Sequence, residues 1–173
     1  WTVIEALKLG QSASAIEAAV AARSWSANRA LRSAGEDALD IPAGAPLILS
    51  EDILEKALLT AKITAYAQGL ALLDAASEEF SWDLNIARVA EVWRAGCIIR
   101  SGLLDDISEA VRAGLPYGNL VLAPTFLAMV KDGMPALRQV VAACAQHGLP
   151  VPAMAGALAY LETLRQARGT TDL

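Results

Sequence analysis

The sequence predicts an all-α fold, and three observations carry that prediction. Apolar residues recur at spacings of three and four, and almost nowhere alternate with the period of two that marks a half-buried strand. Glycines and prolines punctuate the chain where helices would end and begin, as at Gly10, Gly114, Gly148, Pro124, Pro135 and Pro152. Hydrophobic residues make up 55% of the chain but aromatic ones only 5%, so alanine and leucine must build the core through closely approaching helices. The length of 173 residues suits one domain with a sizeable core.

The elements follow in order. A short helix over about 2–9 stops at Gly10, since glycine tolerates the left-handed conformation that closes helices. Ser14 and Glu17 have capping-box spacing and open a long helix to about residue 33, with Gly35 closing that region. Residues 40–49, with Pro42, Gly44 and Pro46, read as a loop. Ser50 then caps a helix whose positive end carries Glu51 and Asp52. It continues to about residue 79 and spans roughly 40 Å, more than the ~30 Å of a small domain, and is the expected spine. Ala57, Ala61, Ala65 and Gly69 recur every four residues along it and form a groove for another helix. Further helices are predicted at about 83–95, 103–113, 124–131, 135–147 and 152–167. Residues 96–102, apolar but for Arg100, read as helix or buried loop. The most apolar stretch, 57–73, carries Lys62 and Gln68 and falls short of the ~20 residues a bilayer needs, so it reads as a core helix and not a membrane span.

Charge and composition exclude several function classes. A net charge of −5 argues against a nucleic-acid partner, which needs a basic stripe, and leaves local arginines or lysines to attract any anionic substrate. Cys97 and Cys144 sit far apart in apolar contexts and read as reduced core residues of a cytoplasmic protein. His147, the one histidine, precedes Gly148 at a predicted helix C-terminus, where it complements the dipole; no metal-ligand spacing surrounds it. No nucleophile elbow appears, and no glycine-rich loop follows a strand, so a dinucleotide site of the Rossmann kind is not expected. The chain opens at Trp1 without a methionine, and truncation at both ends is expected.

Three arginines raise questions of chemistry. Ile16, Val20, Ala27 and Leu31 fall on one stripe of the 14–33 helix, and Arg23 points with them, whereas Arg29 and Arg32 fall away. A guanidinium on an inward face needs a carboxylate, carbonyls or a bound anion to offset desolvation. Spacing alone leaves an internal salt bridge, a snorkelling side chain and an anion site all open. Arg94 and Arg100 bracket an apolar run and read as buried structural bracing through salt bridges or helix-end carbonyls.

That run, Trp93-Arg94-Ala95-Gly96-Cys97-Ile98-Ile99-Arg100-Ser101, resembles a segment of the 6-phosphogluconate dehydrogenases. Lys62-Ile63-Thr64-Ala65-Tyr66-Ala67-Gln68-Gly69, Phe80-Ser81-Trp82-Asp83-Leu84-Asn85 and the opening Trp1-Thr2-Val3-Ile4-Glu5-Ala6-Leu7 extend the resemblance in order, over about residues 1–164. The resemblance implies a chain of 1–173 forming the C-terminal all-helical domain of an enzyme that oxidises 6-phosphogluconate with NADP and decarboxylates it to ribulose 5-phosphate. It further implies a homodimer, a cofactor held by an N-terminal Rossmann domain outside this chain, and no catalytic residue within it. The family's general-base lysine, its glutamate and the binding residues of its signature fall before Trp1; its tail arginine and histidine fall after Leu173. One substrate contact carries over: the family's phosphate-binding arginine falls on Arg23, in Val20-Ala21-Ala22-Arg23. Ala95 replaces the first glycine of the family's usual pair, Glu91 stands where an apolar residue is common, and alanine fills the usual phenylalanine position before Arg23, which bears on subfamily and on NADP against NAD. Two rivals remain: a free-standing helical dimerisation or scaffold module, and a related β-hydroxyacid dehydrogenase.

Overall fold

The computed structural model describes residues 1–42, 44–96 and 101–169, and among them every regular element is helical. The α-helices are α1 (Thr2–Lys8), α2 (Ser14–Ala27), α3 (Arg29–Leu39), α4 (Glu51–Glu79), α5 (Ile86–Gly96), α6 (Leu103–Ala113), α7 (Pro124–Gln146) and α8 (Pro152–Leu164). Two 3₁₀ turns not foreseen in the sequence, Pro116–Gly118 and Leu120–Leu122, lead into α7. None of the helices among the described residues is long and apolar enough to cross a membrane.

The chain divides into two units, the first of Trp1–Ala13 and Lys62–Asp132, the second of Ser14–Ala61 and Gly133–Leu173. In the first, α5 and α6 pack together around Ala87, Ala90, Leu104 and Ile107, all buried. In the second, α2 packs against α8, where Ala15, Ala157 and Leu161 are buried. A glycine lets α7 come close to α4 here: a Cβ on Gly133 would lie 2.9 Å from the Lys56 carbonyl oxygen and collide with Thr60 Oγ1. Of the expected small-residue groove, Ala57 and Ala61 are buried and Ala65 and Gly69 half-buried.

Several boundaries follow from local chemistry as expected. Gly10, Gly114 and Gly148 have φ of +63°, +89° and +70°, so the residues placed at helix ends do adopt the left-handed half of the map. Ser50 Oγ accepts from the Ile53 N–H at 3.4 Å at the entry to α4. Cys144 is buried and free; Cys97 and Arg100 lie outside the described residues.

Four expectations need correction. The helix expected over 14–33 breaks at Asn28 (φ −103°, ψ 63°), whose side chain accepts from the Leu31 N–H and so caps α3. Helix α3 then runs through Gly35 to Leu39, and Asp40, left-handed at φ 45°, ends it. Ser14 is itself the first residue of α2, and its hydroxyl donates to the Gly156 carbonyl at 2.9 Å, a tertiary bond the capping-box reading missed. The helix expected from residue 83 starts at Ile86, because Asp83 is left-handed (φ 52°) and Asn85 Oδ1 accepts from the Arg88 N–H at 2.9 Å. The two helices expected over 124–131 and 135–147 are one, with Pro135 inside α7. Pro135 and Lys131, four residues earlier, are exposed, so water can take up the carbonyl that loses its N–H partner.

Candidate functional site

Arg23 is the residue the sequence singles out, and its position follows from how α2 is seated. Ala15 is buried and Ala18 and Ala22 half-buried; at about 100° per residue these three lie within roughly 60° of one another. Helix α2 therefore packs by an alanine face. Arg23 lies about 80° round from Ala15, beside that face. The bulkier stripe that was expected to point inward does not: Ile16 is half-buried, Val20 and Leu31 are each 53% exposed, and Arg23 is exposed with them. Alanines on several sides of α2 explain the misreading. Small side chains permit the closest packing, so they take the inner face, and the larger side chains are displaced to its edge.

The guanidinium of Arg23 makes no ion pair or hydrogen bond among the described residues. The internal salt bridge that spacing left open is thus not present there. The sequence around it is basic as well: residues 18–35, between Glu17 and Glu36, contain Arg23, Arg29 and Arg32 and no acidic residue, in a chain whose net charge is −5. All three arginines are exposed, with Trp25, 56% exposed, between them in sequence. An exposed, unpaired guanidinium offers its five N–H donors to an anion without first breaking a protein contact.

The other arginines are engaged. Arg94 pairs with Asp105, linking α5 to α6, although both side chains are about half exposed and not buried as the sequence suggested. Glu91 is the hub of the same surface. Its Oε1 accepts from Arg112 on α6 and, at 3.3 Å, from the buried Ser108 hydroxyl, while its Oε2 accepts from Arg88 at 2.8 Å. That network accounts for a carboxylate at a position where the resemblance leads one to expect an apolar residue. Between α7 and α8, Glu162 accepts from Arg138 and Arg165, and these hydrogen bonds, Arg138 first, hold its carboxyl below the usual carboxylate range. His147 follows the end of α7 and shares a 2.8 Å hydrogen bond between its Nδ1 and the Ala45 carbonyl, tying the α3–α4 loop. Among the described residues no group of three or more histidines, cysteines and carboxylates is placed to hold a metal ion.

Comparison with known proteins bears on the whole chain. The family model for the C-terminal domain of 6-phosphogluconate dehydrogenase matches residues 1–173. Decarboxylating 6-phosphogluconate dehydrogenases of Shigella boydii and of Escherichia coli (strain K12) are each 42% identical over 170 residues, which is 96% of this chain. The chain spans only 38% and 36% of those relatives' lengths. The solved 6-phosphogluconate dehydrogenase of Plasmodium falciparum, described in its apo form and in complexes with its cofactor NADP+ and its substrate 6-phosphogluconate, is 32% identical with a TM-score of 0.90. That match covers 98% of this chain and 38% of the other.

Proposed function

Because this chain belongs to the 6-phosphogluconate dehydrogenase C-terminal-domain family, we propose that it is the helical part of a cytoplasmic, decarboxylating 6-phosphogluconate dehydrogenase, in which Arg23 binds the substrate phosphate. The enzyme oxidises 6-phosphogluconate with NADP as hydride acceptor and releases carbon dioxide and ribulose 5-phosphate. One observation carries the role of this chain: Arg23 presents an exposed guanidinium with no protein partner among the described residues, in a stretch free of carboxylates.

The chemistry suits that role. A phosphate monoester carries close to two negative charges at neutral pH, and a guanidinium meets it with parallel hydrogen bonds in a fixed fork. The phosphate lies at the far end of the sugar acid from the carbons that react, so Arg23 orients and holds the substrate and takes no part in proton or hydride transfer. The described residues do not fit a nicotinamide cofactor. They hold no strand followed by a glycine-rich turn, and Gly10, Gly114 and Gly148 sit at helix C-terminal ends, where carbonyls and not N–H groups are free. NADP would be held by the cofactor domain of the full-length enzyme. The exposed Val20, Trp25 and Leu31 of α2 and α3 support a homodimer, as apolar surface for a second subunit.

The test is Arg23→Ala in the full-length dehydrogenase. Losing a charge-assisted contact of about 1.5–3 kcal/mol should raise KM for 6-phosphogluconate roughly ten- to a hundredfold or more, with KM for NADP unchanged. Arg23→Lys keeps the charge but loses the fork and should recover part of the difference. An unaltered KM for 6-phosphogluconate in the alanine variant would remove Arg23 from the phosphate site.

A further inference from the structure

We propose that the contact between Ser14 and Gly156 is the positioning device for Arg23, so that both residues set the affinity for the substrate phosphate without touching it. The inference rests on the phosphate role given to Arg23 above.

The contact is unusually close. Gly156 lies in the second turn of α8, and a Cβ added to it would stand 2.7 Å from the Ser14 carbonyl oxygen, 3.0 Å from its carbonyl carbon and 3.2 Å from the Ala15 Cα. All three atoms are backbone, which cannot swing aside as a side chain would. The bare glycine thus allows the first turn of α2 to rest on the backbone of α8. A hydrogen bond fixes the register, since the Ser14 hydroxyl donates to the Gly156 carbonyl at 2.9 Å. The next residue along each helix is buried as well, Ala15 at 4% exposed and Ala157 fully so.

Arg23 is nine residues beyond Ser14 on the same helix, about two and a half turns or roughly 13 Å along the axis. It sits beside the alanine face by which α2 meets α8. At its far end α2 stops at the non-helical Asn28, so α3 does not continue its axis and α8 is the helix that sets its direction. A push at Ser14 therefore moves α2 as a rod, and its tilt is read at Arg23. Relieving a 2.7 Å contact to ordinary distance needs a shift of a few tenths of an ångström or more at Ser14. A misplacement near 1 Å can cost about a hundredfold in a positioned interaction, and this smaller shift is expected to cost about three- to tenfold.

The experiment uses the full-length dehydrogenase with Gly156→Ala, Ser14→Ala and Arg23→Ala, singly and with each of the first two combined with the third. Gly156→Ala should raise KM for 6-phosphogluconate about three- to tenfold with kcat and KM for NADP held. In the Arg23→Ala background the same change should leave KM unmoved, because the group being positioned is gone. Ser14→Ala removes the hydrogen bond without adding bulk, and should show the same dependence on Arg23 with a smaller rise. It also keeps the test alive if Gly156→Ala fails to fold. Equal effects with and without Arg23, or no effect on KM from either variant, would overturn the positioning role. A lowered melting temperature with KM unchanged would make the contact merely structural and overturn it too. If Arg23→Ala itself leaves KM unchanged, the phosphate reading has failed, and this inference falls with it; that result is distinguishable from the others because it appears in the single variant.

Discussion

Gly133→Ala should destabilise the protein, although alanine in a helix interior ordinarily outdoes glycine by about 1 kcal/mol. The sign reverses because of what the new methyl would meet. It would stand 2.9 Å from the Lys56 carbonyl oxygen, and Thr60 Oγ1 already occupies the same space. The Thr60 side chain cannot easily yield: the residue is 1% exposed, and its hydroxyl donates to the Lys56 carbonyl at 2.8 Å. Forcing a carbon into a packed crossing of this kind costs typically 1–3 kcal/mol through backbone shifts and displaced rotamers. A destabilisation of that order corresponds to a fall in melting temperature of roughly 3–10 °C for a domain of this size. Urea unfolding of the single variants and of Gly133→Ala with Thr60→Ala closes a double-mutant cycle. The coupling should be favourable by about 0.5 kcal/mol or more, since removing Oγ1 makes room for the methyl. Gly133→Ala more stable than the parent by the usual alanine increment would refute the close crossing of α4 and α7.

Two further outcomes are expected. Glu162 is held ionised by Arg138 and Arg165, and a carboxylate whose folded pKa is depressed adds stability above its unfolded value that is lost as pH falls through the folded one. Glu162→Gln should therefore lower the melting temperature near neutral pH and flatten its decline below about pH 5; a decline as steep as in the parent would contradict the assignment. The isolated chain should show neither dehydrogenase activity nor affinity for NADP, and saturable micromolar binding in a calorimetric titration would contradict that.

How much was legible in the sequence depended on the kind of signal. Helix ends marked by a residue with its own backbone preference, such as Gly10, Gly114 and Gly148, were found where expected, because the left-handed conformation is a local property of glycine. Ser50 and the full length of α4 were likewise local. Asn28 and Pro135 misled for opposite reasons. Asn28 looked like a helix-interior residue and caps a new helix with its own side chain, whereas Pro135 looked like a boundary and sits on an exposed face where an unpaired carbonyl is tolerated. The orientation of Arg23 was not legible, because apolar periodicity locates the bulkiest stripe while close packing on α8 chose the alanines. Nor was the meeting of Ser14 with Gly156, separated by most of the chain and visible only once α2 and α8 pack. The candidate role of Arg23 came from resemblance; what the fold adds is an exposed guanidinium with no partner among the described residues.

The most direct measurement of the central claim compares 6-phosphogluconate with gluconate, which lacks only the phosphate, on the full-length enzyme and its Arg23→Ala variant. If Arg23 holds the phosphate, the preference in kcat/KM for the phosphorylated substrate should shrink by roughly ten- to a hundredfold in the variant, while kcat/KM for gluconate stays unchanged. An equal fall for both substrates would contradict the claim, placing Arg23 in the framework of the domain and not at the phosphate.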